Sequence, residues 1–335
     1  MNHIELFSPA KVNLRLDILG KRSDGYHDIR TIFQKISLRD DLTLAVIKRG
    51  IEVACDNPLV PTNEGNLAFA AAKMLATRFA IKDGIRITIK KRIPIAAGLG
   101  GGSSNAACTL AGINQLFGLG LSNGDLMPMA RDLGADVPFF LFGSSAIGTG
   151  IGDKLQAVCI QPKLWYLLVT PDLQISTAWA YQNVTRGLTN GAVNITIPSC
   201  IKTISEIIAI LYNDLEKVVL PRFPLLQDIK DALRNKGALG CLMSGSGSTV
   251  SCTSPLSAAG ALVAFGDDDA SEQLSFAALA LAGFSGPTTL ASCEFRATGA
   301  APTAGEFAPS PPRDHPYCGR CSAGAATNGR MPRAE

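Results

Sequence analysis

The residues best suited to chemistry stand at 94–107, reading Pro94-Ile95-Ala96-Ala97-Gly98-Leu99-Gly100-Gly101-Gly102-Ser103-Ser104-Asn105-Ala106-Ala107. Four glycines and two serines follow an alternating run, Ile85-Arg86-Ile87-Thr88-Ile89, and precede an apolar helical pattern over 106–116. A loop without Cβ atoms lets backbone N–H groups turn inward together, and the helix N-terminus behind it adds partial positive charge, so the segment suits phosphate. It lacks the lysine followed by Ser or Thr with which a Walker-type loop reaches terminal phosphates. The dinucleotide fingerprint fails too, because its third glycine would fall inside the helix and Lys90, Lys91 and Arg92 stand where that motif needs a buried strand. A turn that merely joins strand to helix would account for the serines as caps but not for the glycines.

Three further constellations carry polar groups in unusual company. Ser8-Pro9-Ala10-Lys11-Val12-Asn13-Leu14-Arg15-Leu16 alternates as a strand, with Val12, Leu14 and Leu16 on one face and Lys11 beside Asn13 on the other. A lysine and an amide side by side can hold a hydroxyl or a phosphate oxygen; a lysine exposed for solubility is the plainer alternative. The turn Asp24-Gly25-Tyr26-His27 follows. In Leu133-Gly134-Ala135-Asp136-Val137-Pro138-Phe139-Phe140-Leu141 a carboxylate precedes large apolar residues, where burial is costly unless it is paired or used. Lys11 is its natural partner, and a cap ahead of Pro138 is the other reading. Ser244-Gly245-Ser246-Gly247-Ser248 is a second small-residue loop that alone reads as a linker.

In this order the segments resemble the GHMP kinase superfamily, the small-molecule kinases that include galactokinase, homoserine kinase and mevalonate kinase. The resemblance rests on Pro9-Ala10-Lys11-Val12-Asn13, on the loop at 94–106 and on Gly245-Ser246-Gly247, with Asp24-Gly25-Tyr26-His27 and the Asp136 segment in support. It implies an α+β, two-lobed GHMP kinase fold. Residues 1–160 would form an ATP-binding N-terminal lobe like domain 2 of ribosomal protein S5, and 161–250 a ferredoxin-like C-terminal lobe left incomplete by an atypical tail over 251–335. It further implies ATP with Mg²⁺, and a small-molecule acceptor, diphosphocytidyl methylerythritol, phosphorylated on its 2-hydroxyl in isoprenoid precursor synthesis.

By the same resemblance Asp136 orients or deprotonates the acceptor hydroxyl, and Lys11 pairs with it and stabilises the developing alkoxide. Pro94, Gly98, Gly100, Gly101, Gly102, Ser103 and Ser104 would hold the ATP phosphates, with Ser104 or its neighbour Ser103 assisting the metal ion, and Asn66 would reach the nucleotide base. Asn13, Tyr26, His27, Tyr181, Gly245 and Gly247 would hold the acceptor, the aromatic faces sandwiching its pyrimidine.

Composition agrees. A chain of 335 residues, 47% hydrophobic, buries a substantial core and favours two lobes. The net charge of +3 argues against a nucleic-acid platform, and Lys90, Lys91 and Arg92 read equally well as a solvated strand end. No apolar run reaches membrane-spanning length and no signal-peptide pattern opens the chain, so the expectation is a cytoplasmic protein, or a plastid one, acting as a monomer or weak homodimer. Nine cysteines are scattered without disulfide or metal spacing apart from Cys318-Gly319-Arg320-Cys321, and read as reduced thiols.

Periodicity predicts strands over 4–19, 31–47, 85–89 and 164–171, another before Ser244, and helices over 66–79, 104–117, 122–133, 201–211 and 223–236. Beyond Val250 lysine and isoleucine vanish and one valine remains, while 301–312 looks like a linker. A foreign or frame-shifted segment is expected there, and a genuine extension, suggested by a helix-like stretch over 277–282, is the alternative. The functional expectation is an active kinase; the alternative is a nucleotide-binding protein whose altered C-terminus impairs catalysis.

Overall fold

The alternation read over 4–19 and 31–47 becomes β1 (His3–Lys21) and β2 (His27–Ile47), a long antiparallel hairpin whose register shifts at Pro9/Lys11, Asn13/Arg15 and Ile18/Gly20. The computed structural model describes residues 2–184, 196–254 and 288–294, with Ser254 and 288–294 given by their backbone. After the hairpin come β3 (Ile51–Cys55), α1 (Leu67–Arg78), β4 (Gly84–Lys90), α2 (Gly101–Leu116), α3 (Asn123–Leu133), α4 (Val137–Phe142), β5 (Ser145–Thr149) and β6 (Lys154–Ala157). One half of β2 pairs with β5 and the other with β4, so the sheet branches at β2.

Helices α1 to α4 cover this sheet. Leu6, Leu44 and Ile87 from its strands meet Leu75, Leu110, Met129 and Phe139 in one buried cluster, where each large side chain contributes about 1.5–3 kcal/mol by leaving water. A Cβ on Gly112 would lie 2.3 Å from Leu6 Cδ1 and 2.4 Å from Leu44 Cδ1, so the missing side chain is what lets α2 lie so close to the hairpin. Asp40, in the middle of β2, is fully buried. It accepts hydrogen bonds from the backbone N–H groups of Arg92 (2.8 Å) and Ile93 (2.9 Å), from Asn105 Nδ2 (2.9 Å) and from Lys91 Nζ. Four donors on one carboxylate offset its desolvation and tie both ends of the glycine loop to β2. Lys91 is therefore an internal ion-pair partner and not a solvated strand end.

The second half of the chain comprises β7 (Cys159–Ile160), β8 (Trp165–Pro171), α5 (Thr177–Gln182), β9 (Cys200–Ile201), α6 (Ile204–Ile210), β10 (Tyr212–Asn213), α7 (Glu216–Arg222), α8 (Pro224–Asn235), β11 (Gly240–Met243), β12 (Val250–Ser254) and β13 (Thr288–Glu294). Its sheet runs β11-β12-β8-β13 with every neighbour antiparallel, while β10 adds to the first sheet, parallel to β1. Val219, Leu226 and Ile229 from α7 and α8 pack on Met243, Val250 and Cys252 beneath.

Several expectations are corrected. The helix expected over 104–117 starts at Gly101, because Gly100 already stands at its N-cap with φ +71°. The helix expected over 201–211 is β9 followed by α6, and the one over 223–236 is preceded by α7. β12 lies between β11 and β8, and Ser251, Cys252 and Thr253 are buried. In the lobe expected to be left incomplete by its tail, β13 pairs along β8. Cys241 and Cys252 form a disulfide, because the β11–β12 register sets them opposite one another, which their spacing of eleven residues did not suggest. The stretches at 277–282 and 301–312, and Cys318 and Cys321, lie outside the described residues.

Candidate active site

Lys11, Asn13, Tyr26, His27, Gly98, Ser103, Asp136, Tyr181 and Gly245 line one cavity of about 660 Å³ between the two halves of the chain. β1 supplies its floor. The bulge between Pro9 and Lys11 brings Lys11 under the glycine loop, where its N–H donates to Leu99 O (3.0 Å). The ammonium donates to Asn13 Oδ1 (2.6 Å), Asn13 Nδ2 donates to Thr31 Oγ1 (2.8 Å), and that hydroxyl donates to Arg15 O (2.6 Å). Lys11 is 3% exposed, so the strand does not present it for solubility.

Asp136 Oδ2 lies 3.5 Å from Lys11 Nζ. The expected cap is absent: Asp136 occupies the N-cap of α4, yet its side chain makes no capping bond. The expected burial is corrected as well, since the carboxylate is 35% exposed on the cavity wall and its lysine is the buried member. A hydroxyl entering the cavity can therefore meet both a carboxylate acceptor and a fixed ammonium.

The glycine loop and the late serine-glycine loop touch. Gly98 has φ +75°, and a Cβ there would lie 2.0 Å from Ser244 O, so both its conformation and the contact require glycine. Ser244 Oγ donates to Gly98 O (3.0 Å), and Thr249 N–H donates to Ala97 O (3.3 Å). The Gly245 turn is held from below by Asn213, whose Nδ2 donates to both Met243 O and Gly245 O at 2.8 Å. At α2, no side chain caps the first N–H groups. With the helix dipole behind them, these groups have the chemistry to receive an anion.

The sequence-predicted residues divide. Ser103 reaches the cavity wall; Ser104 does not, being 1% exposed with its hydroxyl accepting from Ser8 Oγ (2.8 Å), and it is not placed to ligate a metal ion. Asn66 caps α1, accepting from Ala68 N–H (2.9 Å) and donating to Pro61 O (2.7 Å), and lies away from the cavity. Pro94, Gly100, Gly101, Gly102 and Gly247 do not line the cavity. Of the aromatic residues, Tyr26 is 60% exposed at the mouth. His27 and Tyr181 pack against each other with ring centroids 5.5 Å apart, closer than the two stacking intervals a base between them would need, so they form one wall and not a sandwich. Burial, and then Lys21, lowers the His27 pKa; burial, and then the Asp136 charge, raises that of Tyr181.

Sequence reasoning missed the run at 213–216. Asn213 supports the Gly245 turn, Asp214 accepts from Ile18 N–H (2.8 Å), and Glu216 accepts from Met243 N–H (2.7 Å). Its signal was three polar side chains interrupting an apolar run, but they work on backbone groups far away in sequence. Thr177 and Ser246, joined through their hydroxyls at 2.8 Å on the cavity wall, were missed for the same reason.

Comparison with known proteins gives a consistent picture. The chain matches the family models for the GHMP kinases N terminal domain over 66–144 and GHMP kinases C terminal over 196–271. It is 49% identical over 251 residues to a 4-diphosphocytidyl-2-C-methyl-D-erythritol kinase of Geobacter sp. (strain M21), covering 75% of this chain and 89% of that one. It is 50% identical over 244 residues to the protein of that name from Syntrophotalea carbinolica, covering 72% and 86%. A crystal structure of 4-(cytidine 5'-diphospho)-2C-methyl-D-erythritol kinase superposes with a TM-score of 0.65 at 30% identity, over 88% of this chain and 100% of that one.

Proposed function

The chain belongs to the 4-diphosphocytidyl-2-C-methyl-D-erythritol kinases of the GHMP kinase family, and from that premise we propose how its cavity transfers the γ-phosphoryl group of ATP to the 2-hydroxyl of 4-diphosphocytidyl-2-C-methyl-D-erythritol. It is a small-molecule kinase of isoprenoid precursor synthesis. The observation that carries the assignment of roles is the Lys11–Asp136 pair, 3.5 Å apart on a wall that Gly98 and Ser103 share.

Asp136 accepts the proton of the acceptor hydroxyl as its oxygen attacks the γ-phosphorus, and the bond to the ADP oxygen breaks in line with it. Lys11, already oriented by Asn13, stabilises the charge that grows on the attacking oxygen and the transferred group. The uncapped N–H groups of α2 hold the ATP phosphates. Tyr26, His27 and Tyr181 hold the cytidine end; a pyrimidine lies against the His27–Tyr181 wall, with Tyr26 free to cover its other face from the mouth.

Mg²⁺ fits the donors present. The Ser103 hydroxyl, a hard oxygen donor on the cavity wall, would hold an ion that is bound mainly by nucleotide phosphates and waters. When bound, the ion neutralises charge on the β- and γ-phosphate oxygens. The cytoplasm, which holds ATP, is the compartment we assign. The reading as an impaired nucleotide-binding module is less well supported, since β12 and the Gly245 turn that hangs from it are held by Asn213, Gly98 and β8.

A coupled ADP-release assay tests the assignment. Turnover is expected with the diphosphocytidyl alcohol and not with galactose, homoserine or mevalonate. Turnover of one of the latter, or none with any acceptor while ATP still binds, overturns it.

A further inference from the structure

Two thiols away from the cavity have no part in phosphoryl transfer. Cys159 and Cys200 are register partners on the parallel strands β7 and β9, and their Sγ atoms lie 2.7 Å apart although 41 residues separate them in the chain. Backbone bonds clamp the pair from both sides, Cys159 N–H to Ser199 O and Gln161 N–H to Ile201 O, each 2.9 Å. The next residues, Ile160 and Ile201, are 3% and 0% exposed in the interior, so the strands are anchored while Cys159 faces solvent and Cys200 is half-buried.

The other described cysteines differ. Cys108 is buried, and desolvation pushes its thiol up to about 12; Cys241 and Cys252 are already joined and buried; Cys55 has the Asp56 carboxylate as its neighbour at 3.8 Å. Only Cys159 and Cys200, among the described residues, combine two unbonded sulfurs in contact with access for a small reagent.

We propose that Cys159 and Cys200 form a site of reversible thiol oxidation, closed to a disulfide by hydrogen peroxide and reopened by a dithiol. Cys159, the more exposed sulfur, is the attacking group. Its thiolate attacks one peroxide oxygen, the O–O bond breaks, and a sulfenic acid and one water result. The Cys200 thiolate then attacks that sulfur, the S–S bond forms, the S–O bond breaks and a second water leaves. The two thiol protons end in the waters and two electrons reduce the peroxide. Closure joins the two ends of the segment that carries β8 and α5, and hence Tyr181, reducing the freedom of the unfolded chain.

Non-reducing peptide mapping of the full chain before and after hydrogen peroxide, with dithiothreitol reversal, is the test. The expected product is one new cross-linked peptide pair containing Cys159 and Cys200, two hydrogen atoms lighter, restored by dithiothreitol and accompanied by a higher Tm. In Cys200→Ser the oxidation should stop at a Cys159 sulfenic acid trapped by dimedone, and Cys159→Ser should give neither product. Separate alkylation of both thiols after peroxide, or a link from either to a different cysteine, overturns the proposal. Formation of the same link in Cys241→Ser confirms that it is independent of the buried disulfide; its loss in that variant, with the fold retained, overturns the assignment to a self-contained pair.

Discussion

At the Lys11 end of the cavity the polar groups are buried and held by partners, whereas at the Tyr26 end an aromatic ring stands in solvent. Lys11 and Asn13 are 3% and 2% exposed, and Tyr26 is 60% exposed. The first end is one strand, its neighbour and two glycine loops braced against each other; the second is a turn and a short helix brought together from 155 residues apart, as the spacing of Tyr26 and Tyr181 shows. The difference teaches where rigidity is needed. Charge that develops for an instant must find its partners already placed, because reorganising them would cost as much as they return. A flat pyrimidine can be met by rings that still adjust.

The sharpest way to break this comparison is at the buried end. Lys11→Met and Asp136→Asn are each expected to lower kcat by at least ~10²-fold with a smaller change in ATP affinity, because these groups act on charge that exists only in the transition state. Steady-state kinetics beside calorimetric titration with a non-hydrolysable ATP analogue provide the check. If both variants turned over normally, the two ends would differ in exposure and not in function.

Next comes the brace between the loops. Gly98→Ala should cost about 1–3 kcal/mol, since φ is +75° there and the new Cβ would press on Ser244 O. Chemical denaturation reports the loss, with kcat falling alongside as Lys11 loses its roof. At the aromatic end, Tyr181→Ala and His27→Ala should raise KM for the diphosphocytidyl substrate about fivefold or more, the worth of a lost stacking face, and leave KM for ATP nearly unchanged. Equal changes in both constants would remove the pair from the pyrimidine pocket.

The smallest effect concerns pH. The His27 pKa is lowered from its ordinary 6.5, first by burial and then by Lys21, so as pH falls through that value the unfolded chain takes up the proton before the folded one. The stability associated with neutral His27 is thus complete above the ordinary value and declines as acid is added until the folded imidazole also protonates. Tm measured against pH should show this decline in the parent chain and a flatter profile in His27→Gln. Identical profiles would mean that the histidine is no more confined than Tyr26.

Much of the first half was legible in the residues. The alternation around Val12, Leu14 and Leu16 marks β1 and sets Lys11 beside Asn13, because a strand has only two faces. The glycines after β4 mark an anion loop, because no other residue lets the backbone approach so closely. The second half was harder. β9 and β10 are two residues each and carry no periodicity of their own. Ser104 looked as available as Ser103, since a helix of 3.6 residues per turn decides only after it is docked which of two adjacent hydroxyls faces in.

By itself the sequence determined the chemical inventory: a lysine and an amide on one strand face, a loop shaped for phosphate, a carboxylate ahead of a proline, and the order in which they occur. Those follow from local rules of φ, periodicity and side-chain chemistry, which act within a few residues. Only the tertiary structure decided that Asp136 leaves its helix uncapped to meet Lys11, that His27 and Tyr181 make one wall, that Asn213 holds the Gly245 turn, and that Cys159 stands against Cys200. Each of these joins groups from tens to more than a hundred residues apart, or chooses between two partners equally near in the chain. Sheet register and helix docking make that choice, because they are set by the burial of the whole core and not by any segment within it.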